Sequence, residues 1–253
     1  MFNKKISALM TLLILFSFSA SPTLAAAKEK ENPVLRAWSH EDTYKDGDQS
    51  LYLKATYYSN EYVEALVQSE AEKNLWTNDE MENYKYTLLK NLNLAESIPI
   101  HIDMYVRGMP IYPAPFDKRL TLIVGKKKYK PIDYDRRFNF KVIGPRDGMV
   151  FFPRYDPDTG KPVLEGAKDL RVQFDGSISH ATSSGTNILW IWDLNKDRGS
   201  ITQGKAANRL ETDRLIKRSG KIDEQRKELQ KQLDALNKEY DEVNSRIDEL
   251  QAQ

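Results

Sequence analysis

The chain has 253 residues, with 38 lysines and arginines against 37 aspartates and glutamates, and 40% of it is apolar. That size and apolar content suffice for an ordinary core, which excludes wholesale disorder, and the balanced charge offers no global field for nucleic acid or an anionic membrane. The lack of any cysteine excludes disulfide frameworks, thiolate metal sites, thiol catalysis and lipid attachment through cysteine.

Lys4 and Lys5, an apolar stretch from Ile6 to Phe18 and the small residues Ala25-Ala26-Ala27 are the three parts of a secretory signal peptide over residues 1–27. The stretch is short for a bilayer and is interrupted by Ser17, Ser19, Ser21 and Pro22, so cleavage is expected rather than a retained anchor. Loss of Lys4 and Lys5 takes the formal charge from +1 to −1. Export without cysteine fits a bacterial periplasm or cell surface. No later apolar run is long enough for a transmembrane segment, and residues 28–49 read as an N-terminal extension.

From residue 50 to residue 197 apolar and polar residues alternate at period two between turn clusters, the pattern of half-buried strands. Leu51, Leu53, Ala55 and Tyr57 share one face, as do Ile98, Ile100, Ile102, Met104 and Val106, then Leu120, Leu122 and Val124, then Leu170, Val172 and Phe174, then Ile188, Trp190 and Trp192. Without a βαβ rhythm, the pattern predicts an antiparallel, immunoglobulin-like β-sandwich, with a small barrel as the alternative. Two helices interrupt it, Glu61 to Leu75 and Thr77 to Asn91, the second opened by a capping box at Thr77 and Glu80. Their stripes (Tyr62, Val63 and Leu66; Met81, Tyr84 and Leu88) predict that they cover an end or edge of the sheet, the alternative being a lid over a ligand cleft.

Several polar clusters invite a chemical reading. His101 and Asp103 sit on the polar side of their strand, where solvent exposure is expected. Lys126-Lys127-Lys128 follow Gly125 at a hairpin tip, where lysines discourage edge pairing and offer a contact for an anionic envelope polymer. Asp156-Pro157-Asp158-Thr159-Gly160-Lys161-Pro162 reads as a surface turn between strands. His40, His101 and His180 lie in no frame that places a nucleophile or a zinc ion, and the serines around His180, including Ser183 and Ser184, fit loop composition. The chain is therefore expected not to be an enzyme. Trp190 and Trp192 are expected in the core, the alternative being a platform for sugar rings. Asp193, Asn195 and Asp197 place oxygens at alternate positions ahead of Gly199, as a calcium loop does, but Arg198 and Gly204 occupy the places of the loop's glycine and closing glutamate. A polar turn is the plainer reading, and calcium is the one cofactor the sequence suggests.

From Lys205 the composition turns to glutamate, lysine, glutamine and leucine, as in a long helix. Leu215, Ile222, Leu229, Leu236, Val243 and Leu250 recur every seven residues, with Leu233, Tyr240 and Ile247 three before the last three. These are d and a positions of a coiled-coil interface over residues 205–253. The earlier a positions, Ser219 and Arg226, are polar, and Ser219-Gly220 offers a break. Basic residues crowd the start and acidic residues the end, against the helix macrodipole, so self-association is expected to be antiparallel. The competing expectations are a basic partner for the acidic half and a helix folded back along its own sandwich.

The stretch from Lys54 to Val63 (KATYYSNEYV), with Phe151-Phe152-Pro153 and Lys168-Asp169-Leu170-Arg171-Val172, resembles exported bacterial proteins of unknown function with a single mainly-β domain. The resemblance brings no catalytic or binding residue with it. The expected role is a non-enzymatic scaffold or interaction module of the cell envelope, contacting a protein partner or itself through the coiled coil. The alternative is a module for carbohydrate or lipid, with its site between the helical insertion and the sheet.

Overall fold

The computed structural model describes residues 32–182, 186–199 and 204–251. The expected signal peptide, the first residues of the extension, and Ser183 and Ser184 lie outside the described residues. The elements are α1 (Pro33–Ala37), β1 (Ser39–Asp46), β2 (Gln49–Tyr57), α2 (Asn60–Asn74), α3 (Asn78–Asn91), β3 (Ser97–Ile111), α4 (Phe116–Arg119), β4 (Leu120–Val124), β5 (Lys127–Tyr129), β6 (Asp133–Tyr134), β7 (Val142–Pro153), β8 (Asp169–Phe174), β9 (Ile188–Asp193) and α5 (Lys205–Gln251). The strands form two antiparallel sheets, a five-stranded one in the order β1-β2-β3-β7-β6 and a four-stranded one in the order β5-β4-β8-β9. Neither closes on itself, so there is no barrel.

Alternation decides which way each strand faces. The apolar sets of β2, β3, β4, β8 and β9 are buried together, and residues from both sheets belong to one continuous cluster. Phe116 and Phe138 stack within it, with ring centroids 4.4 Å apart. The edge strands β1 and β9 are tied across the two sheets. Trp192 Nε1 donates to the Trp38 carbonyl at 2.9 Å and Trp190 Nε1 to Asp42 Oδ2 at 3.0 Å, while His40 Nε2 lies 2.8 Å from the Ile191 carbonyl. Both indoles are 2% exposed, so they are core residues, and neither offers a ring face to a sugar.

Two strands differ from the sequence reading. Residues 28–49, expected as an extension, contribute α1 and the whole of β1. The polar sequence of β1 suits an edge strand that is only partly covered. In β7, Gly144, Pro145 and Gly148 interrupt the pattern, yet the strand pairs with β3 along most of its length. A Cβ at Gly148 would meet the Asp135 side chain at 2.7 Å, so close packing requires that glycine.

The helices form as expected. Ser59 Oγ accepts from Tyr62 N at the start of α2, and Thr77 and Glu80 make both halves of the capping box on α3. Their apolar faces build a second cluster of Val63, Val67, Leu88, Leu89 and Leu92. This cluster meets the five-stranded sheet at Met149, which alternates with the buried Val150 and therefore lies on that sheet's other face. The start of α5 completes it through Ala206, which is 3% exposed, and the partly buried Leu210.

The turn is exposed from residue 157 to residue 162, as expected of a surface turn, but it starts on a buried carboxylate. Asp156 is buried, and its carboxylate accepts from Lys127 Nζ at 2.5 Å, Tyr129 Oη at 2.8 Å and the backbone amides of Asp158 and Thr159. The hydrogen bonds from Lys127 and Tyr129 hold its carboxyl well below the usual range. Lys127 is thereby committed to the fold, so a polymer contact at this hairpin tip would fall to Lys126 and Lys128.

Candidate functional site

Helix α5 is rooted in the body by its first three turns. Ala206 N donates to Glu82 Oε2 at 3.0 Å, Tyr86 Oη donates to Asp213 Oδ2 at 2.6 Å, and the Arg209 guanidinium lies over the Tyr86 ring at 4.1 Å. Arg214 Nη1 reaches Tyr155 Oη at 3.4 Å. Beyond that point the helix leaves the body. It runs without interruption through Ser219-Gly220, where a Cβ on the glycine would meet nothing within 4 Å. The break that Ser219-Gly220 offered is therefore absent and the long helix stands, because an exposed helical glycine costs only about 1 kcal/mol and breaks no contact.

All nine predicted interface positions lie on this projecting part and all are exposed, from 44% at Ile247 to 67% at Tyr240. The helix does not fold back along the sheets, and nothing among the described residues covers the seam. Local support is modest. Arg226 pairs with Asp223 at 3.6 Å, Lys238 with Glu242 at 3.8 Å and Arg246 with Glu249 at 2.7 Å, and exposed pairs of this kind contribute about 0.3–0.5 kcal/mol each. Helices of this composition draw most of their stability from burying the apolar face.

The structure keeps Asp193 and Asn195 of the suggested calcium loop together and parts Asp197 from them. Asp193 Oδ1 accepts from the backbone and side-chain nitrogens of Asn195, at 3.0 and 2.9 Å. Asp197 turns away to the N-terminus of α2, where its oxygens accept from Asn60 N, Asn60 Nδ2 and Glu61 N at 3.1, 3.0 and 2.8 Å. Burial raises the Asp197 carboxyl above its ordinary value against these donors, and the charge of Glu61 adds to the rise. The oxygens of Asp193 and Asp197 thus serve as caps for backbone N–H groups, and Gly199 is needed because a Cβ there would lie 2.4 Å from the backbone of Asn60 and Glu61. Two shallow clefts flank this segment. One of about 280 Å³ is lined by Tyr57, Tyr58, Pro99, Arg154 and Asp197, and one of about 420 Å³ by Trp38, His40, Glu61, Trp192 and Arg198.

A third group was not legible in the sequence, because its members come together only across two strands. His101 and Asp103 on β3 face Asp147 on β7, with Asp103 and Asp147 directly opposite each other. His101 Nδ1 lies 3.2 Å from Asp103 Oδ2, and its Nε2 lies 3.5 Å from Asp147 Oδ2. The imidazole is only 23% exposed, contrary to the expectation of a solvent-facing side chain. Burial pushes it down, but the two carboxylates outweigh that and raise its pKa overall. The three groups present ligand atoms within 4.8 Å of one another, a spacing that a divalent cation would bridge only after His101 loses its proton. As an imidazolium, His101 offsets the repulsion of two aspartates placed opposite each other.

The sign of the pH effect follows. A histidine with a raised folded pKa contributes stability that is fully present below about pH 6.5 and is lost as pH rises through the folded value. His101→Gln is expected to cost about 1 kcal/mol or less at pH 5.5, the scale of one like-charged cross-strand pair, and the gap to the wild type should narrow between pH 5.5 and pH 9. Thermal melts of both proteins across that range measure it, and a gap independent of pH would refute the assignment.

No protein-family model, curated protein or solved structure matches this chain. Its function must therefore be read from its own surface.

Proposed function

We propose that this chain is a non-enzymatic scaffold of the bacterial cell envelope, exported by residues 1–27. Its two sheets act as an immunoglobulin-like β-sandwich that holds one envelope component, and α5 makes a second contact through its seam. The observation that carries this reading is the projecting helix. Its 47 residues span about 70 Å at 1.5 Å per residue, and its apolar stripe is uncovered from Leu215 to Leu250. Fully burying one such leucine or isoleucine contributes about 1.5–3 kcal/mol, so a partner helix changes the tail from a marginal helix into a stable one.

The body supports the reading at a separate place. Past the register shift between Val106 and Ile111, the ends of β3 and β7 and their flanks expose Met109, Tyr112, Phe140 and Ile143, large apolar side chains of the kind that contact surfaces use.

Crosslinking in intact cells tests the proposal. The comparison is between the whole chain and one cut after Arg218, which keeps the root of α5 on the body. Loss of a defined set of adducts on truncation is expected, and an unchanged pattern would overturn the assignment of the tail as a contact element.

A further inference from the structure

We infer that the seam of α5 is occupied by a second copy of this chain, lying antiparallel, with Leu233 of each copy opposite Leu236 of the other. The inference rests on the reading of the tail as a contact element and names its partner. Charge favours this orientation. Within the paired stretch, residues 219–234 carry four basic and four acidic side chains, and residues 235–250 carry two basic and five acidic. Two parallel tails would set the acidic half beside the acidic half, whereas antiparallel tails set it beside the neutral half.

With Leu233 facing Leu236, every a position from Ser219 onward meets a d position of the other copy. Leu229 meets Tyr240, Ile222 meets Ile247 and Ser219 meets Leu250. The polar a position, Arg226, then meets Val243, beside Glu239 at a g position, so its aliphatic stem packs while its charge finds an acid. A parallel pair would instead set Arg226 against Arg226 in the core, which costs desolvation of two like charges.

In this register the helices overlap over residues 219–250, about 48 Å. Leu250 of each copy then lies opposite Ser219 of the other, past Arg214, the residue that still touches the body through Tyr155. The overlap thus uses the projecting stretch and leaves the docked root alone, with the two bodies at opposite ends of the rod.

The absence of native cysteine makes the test clean. Ile222→Cys and Ile247→Cys are prepared as separate proteins and oxidised alone and mixed. The antiparallel register predicts a disulfide between the two variants in the mixture and none within either variant alone, because identical positions would lie about 37 Å apart along the rod. Disulfides within each variant alone, or formed indiscriminately, would overturn it. Sedimentation should show a dimer whose dissociation constant rises at least about 100-fold on the paired substitution Leu233→Lys and Leu236→Lys. A protein that stays monomeric at tens of micromolar would overturn the second copy as partner. The scaffold reading would then stand or fall on the crosslinks in intact cells, which a different partner would still produce.

Discussion

Replacing Trp192 by alanine is expected to destabilise the fold by about 3–5 kcal/mol, the cost of deleting a large buried aromatic. Trp192 is 2% exposed and packs against Tyr57 and His40, with ring centroids at 6.0 and 5.1 Å. Its indole N–H also holds the Trp38 carbonyl, so the substitution opens a cavity and loosens the seam between β1 and β9 together. A domain of this size is stable by only about 5–15 kcal/mol, so the denaturant midpoint should fall by a third or more in unfavourable cases. Trp192→Phe separates the two effects. It keeps most of the volume and removes one donor from a carbonyl that still accepts from Tyr57 N, so its cost should be nearer 1 kcal/mol. Equal losses for the two variants, or a loss below 1 kcal/mol for alanine, would show that the indole does not hold the sheets together.

The second large effect is expected at Asp197. Asp197→Ala leaves the amides of Asn60 and Glu61 without their acceptors at the start of α2, and loss of a helix cap with orphaned partly buried donors costs about 2–4 kcal/mol. Asp197→Asn keeps one oxygen acceptor and should lose less than half as much. Gly199→Ala should mimic the alanine variant without touching any polar group, because the clash is with backbone that cannot yield. Chemical denaturation measures all three. Titration calorimetry with calcium provides the contrast. The cap geometry predicts no heat for the wild type, whereas a calcium loop would show heat that Asp197→Ala abolishes.

These sites differ in how far the sequence discloses them. The strands β2, β3, β4, β8 and β9 are legible because each buries one face, and burial imposes a period of two. The capping box at Thr77 and Glu80 is legible because it satisfies N–H groups within a single turn. β1 is hidden, since an edge strand with polar residues on both faces carries no apolar rhythm. β7 is hidden because Gly148 answers to the packing of Asp135 and Gly144 to a positive φ, and not to strand preference. The oxygens of Asp193, Asn195 and Asp197 look like a cation loop in one dimension, and only the approach of α2 gives Asp197 a different occupation.

What the sequence determined alone is therefore local and periodic: the alternating strands, the two capped helices, and a heptad stripe over a tail that is basic first and acidic last. What the tertiary structure decided is which of those groups meet. It brought β1 against β9 through two indoles, set His101 between Asp103 and Asp147, turned Asp197 onto α2, and left the seam of α5 uncovered. The physical reason is that a period records only that a face is to be buried. The identity of what buries it depends on contacts between residues far apart in the chain, or on another molecule.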